Sequence, residues 1–235
     1  MEYGVVTRWT ERRSRAPFAT PAIALLCILA YVVYSSLPPL LQQGAIDVLG
    51  MQPSAVSDML KNPFAEGWAG PASTLFTALF IHDSGLHLVG NLVYLWVFGL
   101  KIEQRLGHVA ILAVFLLGGA VTHALVALRL ADSPVPIIGA SGAISVIVGV
   151  YLGLFPGRRI GLYLPLGLYL QFARVPAVVV IGSWFALQLL YTVFGPITGA
   201  VAWWTHLAGF GLGVGVTLVL RALPLLGRRS GIDGR

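Results

Sequence analysis

The amino-acid sequence predicts an all-α polytopic membrane protein of six transmembrane helices, on three observations. Of its 235 residues, 57% are hydrophobic and only 10% charged, with a mean hydropathy of +0.84; a soluble domain carries roughly 25% charged residues. The hydrophobic residues fall in blocks rather than in an alternating or striped pattern, which marks lipid spans and not a soluble core. Each block is close to the ~20 residues that a helix needs to cross ~30 Å of hydrocarbon.

Taken in order, the first span is expected at about 18–37, behind Arg8, Arg12, Arg13 and Arg15. That basic lead fits the n-region of a signal peptide. However, the apolar run is long, and Ser35-Ser36-Leu37-Pro38-Pro39 offers no small-x-small cleavage site, so the span is read as uncleaved. A long connection, 38–73, contains short apolar pieces suited to the membrane interface. The second span is expected at 85–102, the third at 108–130, the fourth at 139–155, the fifth at 175–194 and the sixth at 201–220. These make one membrane domain, 18–226, with an N-terminal segment, 1–17, and a tail, 227–235. Cys27 lies inside the first span, and a single cysteine allows no internal disulfide.

Charge gives the orientation. With the N-terminus inside, the inner segments hold the four N-terminal arginines, Lys101, Arg105, Arg158, Arg159, Arg174, Arg221, Arg228, Arg229 and Arg235. The outer segments hold only Lys61 and Arg129, so the positive-inside rule places both termini in the cytoplasm. A net charge of +6 would suggest nucleic acid in a soluble protein. Here the basic residues sit between apolar blocks, where they meet anionic lipid, and no nucleic-acid partner is expected.

In this topology the second, fourth and sixth helices start at the outer face, and each brings polar residues there. His87 and Asn91, four apart, share one face of the second helix. Ser141 opens the fourth within Gly139-Ala140-Ser141-Gly142, and His206 lies early in the sixth. Polar side chains at such depth are costly unless they face a wet interior, which makes them functional candidates. Serine among small residues is more often packing glue, and a lone histidine more often an interhelical bond. Two features favour chemistry. Glycines leave the Ser141 hydroxyl uncrowded at a helix N-terminus, whose free N–H groups can hold an oxyanion. Gly209-x-x-x-Gly213 on the sixth helix and Gly142, Gly149 and Gly153 on the fourth permit the close approach that a Ser–His hydrogen bond requires.

The remaining candidates read as structural. His82 sits in the turn entering the second helix, His123 makes an interhelical bond, His108 is interfacial, and Glu103 and Arg105 form a local pair or lipid anchor. Five histidines raise the question of zinc, but neither His-x-x-x-His nor His-Glu-x-x-His occurs, so no metal or cofactor is expected. No carboxylate lies in the spans at the depth of the cluster, which leaves a dyad rather than a triad.

In this order the motifs resemble the rhomboid family of intramembrane serine proteases. They run from Leu75-Phe76-Thr77 through His82, His87-Leu88-Val89-Gly90-Asn91, Trp96-Val97-Phe98-Gly99 and Glu103-x-Arg105-Leu106-Gly107 to Gly139-Ala140-Ser141-Gly142 and His206-x-x-Gly209-x-x-x-Gly213. The resemblance covers about 74–215 and implies a six-transmembrane-helix rhomboid-like bundle, expected in a bacterial plasma membrane. It implies Ser141 as nucleophile, His206 as general base, and an oxyanion site formed by His87, Asn91 and the Ser141 N–H. The implied substrates are single-span membrane proteins cut near the outer end of their helix, admitted past a fifth helix that here carries Trp184, Phe185 and Tyr191. Some relatives place an aromatic ring four residues after the nucleophile to support the histidine. This chain has Ser145, so the brace would fall to Trp203, Trp204 or Tyr151. The tryptophan–arginine pair of some relatives' first loop is also missing. The rivals are a catalytically inactive relative that escorts membrane helices, which loss of Ser or His would mark, and a small transporter, which repeats and intramembrane acids would mark. The oligomeric state is not legible in the sequence.

Overall fold

The computed structural model describes residues 16–166, 169–194 and 198–222. Arg8, Arg12, Arg13 and Arg15, and the tail with Arg228, Arg229 and Arg235, lie outside the described residues.

The chain is mostly helical. Helix α1 (Ala19–Ser36) is followed by α2 (Pro39–Leu49) and α3 (Pro53–Lys61), each with proline in its first turn, where the missing N–H costs no hydrogen bond. These two helices and the start of α4 (Ala69–Thr77) occupy the long connection. A short 3₁₀ turn, Ala78–Phe80, ends α4. Next come α5 (Gly85–Tyr94), a π-helical turn at Leu95–Gly99, and α6 (Leu100–Leu106). Helix α7 (His108–Arg129) leads to α8 (Ser141–Leu154), and α9 (Ala177–Phe194) and α10 (Thr198–Ala222) are the last of the described helices.

Among the described residues, four helices are long and apolar enough to cross a membrane: Ala19–Ser36, the continuous Gly85–Leu106, His108–Arg129 and Trp203–Ala222. Ala69–Phe80, Ser141–Leu154 and Ala177–Ala186 are shorter apolar helices. The fourth expected span is therefore shorter than its apolar block, because the chain before Ser141 is pinned as a loop. The expected all-α class also needs correction. Strands β1 (Arg159–Leu166) and β2 (Tyr169–Pro176) form an antiparallel hairpin between α8 and α9, in register from Arg159 opposite Pro176 to Leu166 opposite Tyr169. Alternating Leu and Tyr carry that strand pattern.

Helix α8 is the central pillar. Every residue from Gly142 to Tyr151 is buried, and it packs most extensively on α10 and then on α7. Phe98, Ile111, Phe115 and Ile147 fill the core around it. At Gly149 and Gly213, where α8 and α10 come closest, side chains are absent by necessity. A Cβ on Gly149 would strike the Phe210 carbonyl, and one on Gly213 the Val146 carbonyl, so the two backbones touch directly.

The expected Glu103–Arg105 pair is replaced by a helix cap. The buried Glu103 carboxylate accepts from the backbone N–H groups of Phe18, Ala19 and Thr20 at 2.8, 2.7 and 2.8 Å. It also accepts from His108 Nδ1 at 2.5 Å. These donors would otherwise be unsatisfied at the start of α1, and a carboxylate there also opposes the positive end of the helix dipole. His108 is thus tied to this cap.

Candidate active site

The segment before Ser141 is held at three consecutive points. Ile137 exchanges two backbone bonds with Met51, at 2.8 and 2.9 Å. The Gly139 N–H donates to the Ala78 carbonyl at 2.8 Å. The Ala140 N–H donates to His82 Nε2 at 3.5 Å, while His82 Nδ1 donates to the Phe80 carbonyl at 3.1 Å. The two bonds require one neutral tautomer of His82. Burial first, and neighbouring His87 second, push its pKa down to about 4, so the ring is neutral at physiological pH.

Gly139 has φ +104, a conformation that strains any residue with a side chain. A Cβ there would also lie 2.5 Å from His87 Nε2, with Asn91 Nδ2 at 3.7 Å. Both side chains of α5 therefore face the turn that delivers Ser141. The turn enters α8 with no side-chain cap, and the first helical bond is from the Ile144 N–H to the Ala140 carbonyl. The N–H groups of Ser141, Gly142 and Ala143 precede that ladder. Asn91 is buried, and its Nδ2 has no hydrogen-bond partner among the described residues. An unpaired buried donor beside a helix N-terminus is suited to an incoming negative charge.

His206 approaches from α10. Its level along α8 is set by the residues around it: Thr205 abuts Gly142, and a Cβ on Gly209 would strike the Gly142 carbonyl and lie 3.0 Å from Ser145 Cβ. Ser141 is half-buried and His206 buried, and no hydrogen bond joins the two side chains in this structure. Bonds of this kind are often long in the free enzyme and tighten with substrate. His206 Nδ1 is buried without a partner among the described residues, so ring packing orients the imidazole.

That packing comes from an unexpected direction. Trp184 of α9 lies against His206, with ring centroids 5.2 Å apart. Of the three expected braces, Trp203 packs on Phe185, Trp204 lies beneath the Arg129 guanidinium, and Tyr151 packs on Phe98 and Phe155. Ser145 instead donates to the Ser141 carbonyl at 2.8 Å. Trp184 was legible only as bulk on a gating helix, because single-sequence periodicity does not say which helix faces which. The side chain of Tyr191 lies outside the described residues.

Asp83 lies in the bend that enters α5. It accepts from His87 Nδ1 at 2.9 Å. Burial alone would raise its pKa, but the hydrogen bond and charge of His87 bring it below the ordinary carboxylate value. His123 donates from Nδ1 to the Leu75 carbonyl at 3.0 Å, an interhelical bond away from this cluster.

A family model, Rhomboid domain, matches residues 69–223. The chain is 28% identical over 215 residues to the rhomboid protease GlpG of Klebsiella pneumoniae, in both strain 342 and subspecies pneumoniae, covering 89% of this chain and 65% of each relative. It is 36% identical over 78 residues to RHOMBOID-like protein 6, mitochondrial, of Arabidopsis thaliana, covering 33% of this chain and 25% of that one. The chain thus spans a little under two thirds of the length of the GlpG proteins it matches.

Proposed function

The chain belongs to the rhomboid family, and from that premise we propose that it is an intramembrane serine protease working through a Ser141–His206 dyad. One observation above all supports the reading. A glycine turn at positive φ delivers Ser141 to an uncapped helix N-terminus, opposite a helix whose glycines bring His206 to the same level.

His206, neutral, takes the Ser141 proton as Oγ attacks the substrate carbonyl carbon. The resulting oxyanion lies toward the Ser141 N–H, Asn91 Nδ2 and His87. Collapse breaks the peptide bond, and the departing amine takes the proton from His206. Water then attacks the acyl-enzyme by the same route in reverse order. Substrates are single-span membrane proteins, cut near the outer face of a bacterial plasma membrane.

The chain crosses six times, with both termini cytoplasmic. The shortness of α8 serves this arrangement. Fourteen residues rise only ~21 Å, which leaves Ser141 roughly 9 Å below the outer boundary when the inner end of α8 sits at the inner one. Water and an unwound substrate helix would meet at that depth.

Ser141→Ala and His206→Ala should each abolish cleavage of a single-span reporter without unfolding the protein. Fluorophosphonate labelling should disappear with Ser141, and labelling of the wild type separates the protease from an inactive helix-binding relative. Full activity in either variant removes the dyad. Asn91→Ala should lower kcat by roughly 10²–10³ with KM nearly unchanged; an unaltered kcat removes Asn91 from the oxyanion site.

A further inference from the structure

The carboxylate of Asp83 has no part in the dyad, yet it touches one of the three oxyanion groups. It stands at the exposed entry to α5 and accepts from His87 Nδ1. The opposite ring atom, Nε2, lies 2.5 Å from where a Gly139 Cβ would sit, two residues before Ser141. An imidazole bonded to a carboxylate through Nδ1–H keeps a lone pair on Nε2 while it is neutral. A lone pair repels an oxyanion. We propose that Asp83 is a positioning residue that dictates the proton pattern of His87, so that Nε2 can donate to the oxyanion only while the ring is doubly protonated.

The consequence is a rate with two opposed requirements. His206 must be neutral to act as base, and His87 must be doubly protonated for Nε2 to act as donor. The groups around His87 are few. His82 lies 5.1 Å away ring to ring, and His206 of α10 and Asp83 are within electrostatic reach. From α1, Tyr31 approaches Gly85 and Tyr34 senses Asp83. The 139–142 turn of α8 contributes no charged side chain. Among these, only Asp83 holds Nδ1. The proposal rests on the serine-protease reading above.

Asp83→Asn is the informative variant. Its amide can donate to Nδ1, which lets the neutral ring carry its proton on Nε2 and donate at any pH. The measurement is single-turnover cleavage of a single-span reporter by the full chain, against pH, for wild type, Asp83→Asn, His87→Ala and the double variant. The wild-type rate should fall at least about tenfold from its maximum on the alkaline side, as expected for a lost oxyanion donor. Asp83→Asn should keep the acid limb and lose the alkaline one. In the His87→Ala background Asp83→Asn should change nothing further. Parallel profiles for wild type and Asp83→Asn, or an equal loss at all pH values, would overturn the proposal, since a merely structural role predicts them. Histidine-ring nitrogen NMR gives a readout independent of activity: His87 protonated on Nδ1 in the neutral wild type supports the proposal, and protonation on Nε2 sinks it. Wild-type protein that neither cleaves the reporter nor labels with fluorophosphonate at Ser141 refutes the protease reading itself. Labelling with coincident profiles refutes the role of Asp83 alone.

Discussion

Helix α10 meets two of its neighbours, α8 and α9, in opposite ways. Against α8 it presents Gly209 and Gly213, and at those glycines it lies directly on the α8 backbone. Against α9 it meets rings: Trp184 on His206, and Phe185 on both Trp203 and Phe210. Backbone contact has one geometry and no rotamers to change. Aromatic contact is separable, each ring pair contributing about 0.5–1.5 kcal/mol. The outward side of α9 is exposed at Val178 and Val179, as on a helix with lipid behind it. The difference teaches that the reactive pair is held by one rigid joint and one adjustable joint. The adjustable one carries the residue that touches the base.

The sharpest way to break that contrast is at the rigid joint. Gly213→Val would drive a side chain into the Val146 carbonyl and should cost about 1–3 kcal/mol of stability or more, with loss of activity. A thermal unfolding midpoint equal to wild type would show that the two backbones can separate freely. At the adjustable joint, Trp184→Ala should leave the fold intact but lower kcat about 2–10-fold, the kinetic equivalent of one ring contact. An unchanged kcat would leave His206 without its identified brace. Smallest of all, Val178→Ala on the outward face should shift stability by less than about 0.5 kcal/mol, as surface changes do. A large loss would mean that this face is packed against something.

A pH series probes the loop that feeds the rigid joint. His82 must be neutral to accept from the Ala140 N–H, and its folded pKa, about 4, lies below the ordinary value of 6.5. The unfolded chain therefore binds the proton first. The contribution of this ring to stability is complete above pH 6.5 and is lost as pH falls toward 4. His82→Ala should flatten that part of the profile in equilibrium unfolding, and an equally steep profile would assign the dependence to other groups.

Much of this was legible in the residues. Apolar blocks gave the long helices because lipid demands satisfied backbone over a set length. The glycine spacing of α8 and α10 announced their contact because only glycine allows it. The hairpin at 159–176 is harder to read, since short apolar runs between two spans are not told from helix by periodicity alone. Partners across space were also illegible: Trp184 on His206, Asp83 on His87 and Glu103 on the start of α1 each join residues whose facing is decided by tertiary packing and not by period. The short α8 follows from loop anchors at Met51, Ala78 and His82, none of them adjacent to Ser141 in sequence.

The Glu103 cap has a consequence for how the molecule is made. Its acceptor lies 85 residues beyond the first of its donors at Phe18. A ribosome delivers α1 to the membrane long before it synthesises that carboxylate. The opening helix must wait there with bare amides, and it can lock into place only after the second long helix has been translated and inserted. Assembly therefore closes backwards onto its own beginning.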